Sequence, residues 1–470
     1  MEQYMRSRIF ANLGFLLQIA GVLTVLPIAI GLYFDETQHV ISLFLACVGF
    51  LACGFLMNAL CERKDLDFKS ASALIVLSFV ALPLIGAIPY FYSDPFNSPN
   101  LADRFTNGYF ESISGFTTTG FSFIQNADAL PRSLLVYRSL TELMGGVGIV
   151  FLLLAFFHSR KSLNNLSNAL GIEEIGSNLK RMFFSIFAIY GIIIIVFTAI
   201  FYALGFQDLI KSGSFVVDTI TGGFQPSVQQ FQQYLAFLPK ICMIFLMLFG
   251  SLNFGFNYHV LTGKLRKALS LEVGMFLLII AVGTGLVIWL TKMETLDSLF
   301  HVVSMSSSTG YDYVNIWLFN DTVRSIFIVL MLVGGCTFSM AGGIRVARLI
   351  SFAKSVKQSI REVLIKEKVV AEPTRRNGNI DIEYLSAVVS ILLFLFTLVI
   401  FSILFSTIGI SFTDALIEVG SALTTNGISM GATTLAMPVA YKWLLIAAMT
   451  IGRVELMSIL IALSPYKAKE

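Results

Sequence analysis

The segment Ser114-Gly-Phe-Thr-Thr-Thr-Gly-Phe-Ser122 is rich in hydroxyls and closed by a glycine with an aromatic after it, yet it lies between two long apolar runs, Ala71–Tyr92 and Ser133–Phe157. Lipid offers a non-helical backbone no hydrogen bonds, so such a segment either stays outside a membrane or re-enters it and lines a wet cavity. The pattern recurs three times, as Asp218-Thr-Ile-Thr-Gly-Gly-Phe224, Ser304-Met-Ser-Ser-Ser-Thr-Gly-Tyr311 and Ser421-Ala-Leu-Thr-Thr-Asn-Gly-Ile428. Aligned on Gly120, Gly223, Gly310 and Gly427, the copies place Phe121, Phe224, Tyr311 and Ile428 next, and Glu111, Ser214, His301 and Glu418 nine positions upstream. Each copy opens on an acid, Asp103, Asp208, Asp297 or Asp414, which stands 17, 15, 13 or 13 residues before its glycine. Repetition of this kind marks one unit, span–loop–span, used four times.

Composition supplies the surroundings. The 470 residues are 56% hydrophobic and 13% charged, too little charge to cover a soluble protein of this length. Apolar runs of about 20 residues are long enough to cross a hydrocarbon core. We read ten spans in an all-α integral membrane protein. Two, Phe10–Tyr33 and Ile41–Leu60, come first. Four pairs follow: Ala71–Tyr92 with Ser133–Phe157, Met182–Gly205 with Tyr234–Asn257, Leu271–Thr291 with Thr322–Leu349, and Tyr384–Thr407 with Pro438–Leu463. The units are 1–69 for the first two spans, then repeats at 70–160, 161–263, 264–350 and 383–470, with a basic cytoplasmic linker at 351–382. Phe10–Tyr33 is too long for the apolar region of a signal peptide and lacks a cleavage site. With the N-terminus inside, cytoplasmic segments hold 23 of the 32 Lys and Arg, so both termini are expected in the cytoplasm and all four loops enter from outside. The amphipathic basic part, Arg345–Lys368, of the polar stretch Arg345–Asp381 reads as a positive-inside segment along the membrane surface, as a docking surface for a cytosolic partner, or as both.

The five Cys form no CxxC pair and the four His show no metal-ligand spacing. No Walker A loop or GxGxxG fingerprint is present, no paired acids or His ligands mark an enzyme, and the net charge of +3 carries no sign of nucleic acid. The expectation is a non-enzyme without an organic cofactor.

Each loop has the makings of an ion site. Asp103–Phe116 reads as a short helix that enters the outer leaflet and stops before Thr117. The C-terminal ends of four such helices carry partial negative charge, which favours a cation at mid-membrane. Beyond each helix an extended return points carbonyls at the axis, and glycine permits the close approach. Rings of carbonyls that replace a hydration shell are how potassium filters work. The expected lining is Thr117, Thr118, Thr119 and Gly120; Ile220, Thr221, Gly222 and Gly223; Ser307, Ser308, Thr309 and Gly310; Thr424, Thr425, Asn426 and Gly427. A single glycine would fit helix packing equally well; four at matched positions favour a filter. The opening acids either cap their helices or raise the cation concentration at the outer mouth. His301 is expected to be packed or to cap.

Two sites lie outside the loops. Gly334-Gly-Cys-Thr-Phe-Ser-Met-Ala-Gly-Gly343 interrupts a span with four glycines, Gly334, Gly335, Gly342 and Gly343, and is expected to be a gate beneath the filter, or else a kink. Arg453 lies within the last span beside Glu455. An intramembrane charge normally faces a cavity or a partner, so Arg453 either pins the gate or pairs with Glu455.

The four units, one glycine in each loop, two leading spans and the C-terminal Gly452-Arg-Val-Glu-Leu456 resemble the Trk/Ktr/HKT superfamily of potassium transporters, and most nearly its TrkH branch. The resemblance covers essentially the whole chain. It implies pseudo-fourfold symmetry around one pore, K⁺ as the bound substrate ion with Rb⁺ as its surrogate, a homodimer in the bacterial inner membrane, and a ring of cytosolic TrkA-like nucleotide-binding subunits. In that family a glycine in every loop goes with potassium, and the gate loop and its facing basic residue match Gly334–Gly343 and Arg453. Phe338 and Met340 are bulkier than the small residues usual in that loop. Driven by membrane potential, such a pathway needs no ATP chemistry on this chain; symport with H⁺ or Na⁺, or a less selective K⁺/Na⁺ pathway, is the alternative, though few ionisable groups, Arg453, Glu455 and Glu142, stand in the spans.

Overall fold

A computed structural model of the chain describes residues 2–61, 66, 68–124, 126–156, 179–206, 208–226, 236–314, 319–364 and 382–464. Residues 365–381 of the linker, and Arg63, Lys64, Arg160, Lys161, Lys467 and Lys469 of the positive-inside count, lie outside the described residues. Among the described residues the regular elements are all helices. This is the expected outcome for apolar runs in lipid, where a helix alone satisfies its own backbone.

Helices α1 (Glu2–Tyr33) and α2 (Thr37–Leu60) form an antiparallel hairpin. Their backbones meet at Gly14 and Gly54: a Cβ on Gly14 would lie 2.8 Å from Gly54 O, and one on Gly54 2.6 Å from Gly14 O. Here the packing role of glycine applies. The chain continues with α3 (Phe68–Gly86), α4 (Ile88–Ser93), α5 (Leu101–Phe116), α6 (Arg132–Phe156), α7 (Leu179–Ala203), α8 (Leu209–Thr221), α9 (Phe237–Ser251), α10 (Phe254–Leu261), α11 (Leu265–Ala268), α12 (Leu271–Thr291), α13 (Thr295–Ser306), α14 (Asp321–Val333), α15 (Val346–Leu364), α16 (Ile382–Ser406), α17 (Phe412–Leu423), α18 (Val439–Val454) and α19 (Leu456–Leu463). The short helices α5, α8, α13 and α17 stand at the four loops.

Six helices are long and apolar enough to cross a membrane among the described residues, and α18 with α19 makes a seventh bent by 89°. The ten expected spans are therefore not ten unbroken helices. Tyr234–Asn257 breaks at Leu252 and Asn253, Thr322–Leu349 breaks at 334–345, and Pro438–Leu463 turns at Glu455. The middle break follows its glycines. The other two have local causes: Asn253 caps a new helix by accepting from Phe256 N–H at 2.7 Å, and Glu455 takes φ 68°.

The second helix of three repeats carries the end of its short helix on a glycine. A Cβ on Gly145, Gly250 or Gly452 would lie 1.9, 2.0 or 2.2 Å from the carbonyl oxygen of Phe116, Ile220 or Leu423. Gly250→Ala is accordingly expected to lower the thermal midpoint in detergent, by an overpacking cost of about 1–3 kcal/mol. Gly274→Ala, where nothing stands within 4 Å of the added methyl, is the control and should be neutral or stabilising. Equal midpoints for the two would show that the α9 contact is loose.

Candidate functional site

The four short helices end alike. The last hydroxyl of each bonds back to a carbonyl one turn earlier: Thr117 Oγ1 to Ile113 O and Thr221 Oγ1 to Val217 O at 2.7 Å, Thr424 Oγ1 to Gly420 O at 2.8 Å, Ser307 Oγ to Ser304 O at 3.2 Å. The next residue is left-handed, with φ 55° at Thr118, 75° at Gly222, 60° at Ser308 and 51° at Thr425. The amide after it reaches back into the helix: Thr119 to Ser114 O, Gly223 to Asp218 O, Thr309 to Ser304 O, and Asn426 to Ser421 O. A β-branched residue in that conformation costs about 1–3 kcal/mol and is held only by its surroundings.

These bonds make Thr221 the counterpart of Thr117, Ser307 and Thr424. The second loop is thus one residue out of the register that alignment on Gly223 assigns. Gly222 takes the left-handed turn, and Phe224 stands level with Gly120, Gly310 and Gly427, whose φ values are 81°, 69° and 77°. Ile220 is corrected to the level of Phe116 and Leu423, below the lining. Adjacent glycines fit either register, so spacing alone could not choose.

The segments touch in cyclic order. A Cβ on Gly120 would meet Gly223 O at 2.3 Å, one on Gly222 would meet Ser308 O at 2.6 Å, one on Gly310 Asn426 O at 1.9 Å, and one on Gly427 Thr119 O at 2.0 Å. The circuit runs from the first repeat to the fourth and back. Thr117 through Thr119, Thr221, Ser307 through Thr309, and Thr424 through Asn426 are buried. Thr118 Oγ1, Thr425 Oγ1 and Asn426 Oδ1 have no hydrogen-bond partner. Buried polar oxygens without partners suit a cation or water.

Carboxylates strap the chain that leaves the first and fourth loops. Glu111 accepts from Ser122 Oγ at 2.8 Å and Phe123 N–H at 3.3 Å. Glu418 accepts at the matching positions, from Ser429 Oγ at 2.7 Å and Met430 N–H at 2.9 Å, and also from Ala432 N–H and Thr433 Oγ1. Arg138 pairs with Glu111 at 2.9 Å and lies 3.9 Å over the Phe224 ring. Arg138 lies in α6, within the expected span Ser133–Phe157, and its side chain is buried. Glu142, expected near a span end, and Asp218 are buried near it. His301 is packed, with Nδ1 2.8 Å from Asp297 O and its ring 4.6 Å from that of Tyr313.

At the N-terminal ends of the short helices, Asp208 alone of the four acids caps its helix, accepting from the amides of Ile210 and Lys211. Asp103, Asp297 and Asp414 lie in first turns. Each acid faces a base from the repeat before it: Arg132–Asp208 at 2.9 Å, Lys240–Asp297 at 2.6 Å, Arg324–Asp414 at 2.7 Å. Lys442 takes the fourth place, donating to Asn107 Oδ1 at 2.7 Å within the field of Asp103. Burial raises the Asp297 carboxyl, but bonds from Lys240 and Tyr313 outweigh it and hold the carboxyl below its usual range. The pairing offsets much of the negative field expected at the mouth.

Beneath the loops, residues 334–345 leave the helix and seal on neighbours. Cys336 N–H donates to Ser251 O and Met340 N–H to Gly250 O, each at 2.9 Å; Thr337 N–H donates to Glu272 Oε1 at 2.6 Å. Gly334 and Gly343 have φ 69° and 85°. A Cβ on Gly335 would lie 2.6 Å from that of Ala341, and one on Gly342 2.4 Å from Thr424 O; Gly342 N–H donates to Ser308 Oγ at 3.1 Å. Arg453 is buried and donates to Met340 O at 2.7 Å and Gly145 O at 3.1 Å. Glu455 instead bonds Arg345, at 3.4 Å, and Arg348.

Residues 151–468 match the profile of the TrkH family, described as cation transport protein. A Trk system potassium uptake protein TrkH of Halomonas elongata is 27% identical over 488 residues, covering 96% of this chain and 97% of that one. An uncharacterized cation transporter of Methanocaldococcus jannaschii is 28% identical over 457 residues, covering 96% and 93%. Among solved structures, the potassium transporter TrkH from Vibrio parahaemolyticus superposes with a TM-score of 0.81 over 98% of both chains at 20% identity, a likeness of fold.

The outer ion pairs set one expectation. A double-mutant cycle with Arg324→Ala and Asp414→Asn, read as thermal midpoints in detergent, should give a coupling of about 0.5–1 kcal/mol that shrinks at high salt. No coupling would mean that the repeats are not joined there.

Proposed function

Because the chain belongs to the TrkH family of cation transport proteins, we propose that it is a potassium uptake pathway of the cytoplasmic membrane, with its ion site in the ring of four loop segments. The observation that carries this is the closed circuit of backbone contacts from Gly120 to Gly223, Gly222 to Ser308, Gly310 to Asn426 and Gly427 to Thr119. Carbonyls and partnerless hydroxyls at the ends of four short helices, whose dipoles favour positive charge, suit a dehydrated monovalent cation. In this reading the lining is Thr117–Gly120, Thr221–Phe224, Ser307–Gly310 and Thr424–Gly427, with K⁺ as substrate and no organic cofactor.

The chain crosses the membrane ten times, both termini inside, with repeats 70–160, 161–263, 264–350 and 383–470 in pseudo-fourfold order about one pore. The broken segments count as crossings because their loose ends bond to protein rather than face lipid. The loop of Gly334, Gly335, Gly342 and Gly343 closes the path below the ring, and Arg453 pins it through Met340 O. Opening breaks those bonds. Ions enter down the potential, which supplies about 2.3 kcal/mol per charge per 100 mV. The working form is a homodimer with a cytosolic TrkA-like nucleotide-binding partner.

Proteoliposomes holding this chain test the reading. Rb⁺ and K⁺ uptake that follows voltage, exceeds Na⁺ uptake and needs no proton gradient is expected. Uptake that appears only with a proton or sodium gradient would replace the channel mechanism with symport. Gly310→Ser should fold and lose its preference for K⁺ over Na⁺, and Arg453→Ala should raise basal flux. A Gly310→Ser protein with native flux and preference would remove the ion site from the ring.

A further inference from the structure

We propose that Glu142 is the positioning residue of the second loop, the carboxylate that sets Thr221–Phe224 in its one-residue-shifted register. The inference rests on the ring being the ion site. In the first and fourth repeats the strap comes from the repeat's own short helix, as Glu111 and Glu418. In the register that Thr221 sets, the second repeat has the apolar Phe215 at the matching position, and Ser214, the match by sequence alignment, is no carboxylate either. The strap arrives from the neighbouring repeat instead. Glu142 on α6 is fully buried and accepts from Thr221 Oγ1 at 2.8 Å and Phe224 N–H at 2.5 Å. It thus grips both ends of the segment that bears Gly222 and Gly223.

The same carboxyl explains a glycine that backbone angle does not. Gly223 is not left-handed, yet a Cβ there would lie 1.9 Å from Glu142 Cδ and Oε1. The seat the carboxylate occupies is the space that the missing side chain leaves. Gly223 O is in turn the carbonyl against Gly120, so a shift of this segment moves an oxygen of the ring.

Glu142→Gln and Glu142→Met keep the side-chain volume, so neither opens a cavity, and only the first keeps an acceptor. Each is compared with the native protein in proteoliposomes for Rb⁺ against Na⁺ uptake, with folded protein measured in parallel. Glu142→Gln should stay within about twofold of the native preference, and Glu142→Met should lose about tenfold of it, the scale of a buried donor left without its acceptor. Gly223→Ala should abolish the preference, and Glu142→Ala/Gly223→Ala should recover flux relative to Gly223→Ala alone. A folded Glu142→Met protein with native preference, or a Gly223→Ala defect that Glu142→Ala leaves unchanged, overturns the assignment. A native protein without Rb⁺ over Na⁺ preference would instead bring down the reading of the ring.

Discussion

A hydrocarbon layer supplies no hydrogen bonds, so every stretch of this chain that leaves a helix among the apolar runs needs partners from protein. Breaks meet breaks. The carbonyls of Gly250 and Ser251, freed where α9 ends, receive the amides of Met340 and Cys336 from the interruption between α14 and α15. Met340 O, left over there, accepts from Arg453, whose guanidinium also holds Gly145 O beneath the first loop. One cation thereby ties together the first, third and fourth repeats. An unmet backbone group at such depth costs several kcal/mol, so these interruptions stand or fall as a set.

Charge obeys the same rule. A buried carboxylate is tolerable where it accepts several hydrogen bonds or meets a cation. Glu111 has Arg138, Ser122 and Phe123 N–H; Glu418 has four donors from the chain after its loop. They hold the chain that returns from the first and fourth loops against its own short helix. The outer Asp–base pairs do the corresponding work between repeats, each joining one repeat's second helix to the next repeat's short helix.

Much of this was legible. The helix stop before Thr117, the interruption at Gly334–Gly343 and the isolation of Arg453 each have a local signal: hydroxyls after an amphipathic stretch, glycines in an apolar run, a charge where none is cheap. The break at Leu252 and Asn253 and the turn at Glu455 were not expected, although Asn253 is a good helix cap and single glycines, Gly250, Gly255 and Gly452, stand close by. Lys240 and Arg324 lie within expected spans, where hydropathy names no partner, whereas the fold assigns each to an acid of the next repeat.

The sequence by itself determined a membrane protein of four matched span–loop–span units, because hydropathy and hydroxyl–glycine spacing are properties of neighbours along the chain. Only the tertiary structure decided the register of the second loop. Gly222 and Gly223 satisfy the backbone either way, and the choice falls to a carboxylate 79 residues away in sequence from Thr221. It likewise decided that Arg453 meets Met340 O rather than Glu455, because Glu455 is drawn to Arg345 and Arg348 on the far side of the interruption. Contacts between distant residues depend on how helices pack, and no local pattern encodes that.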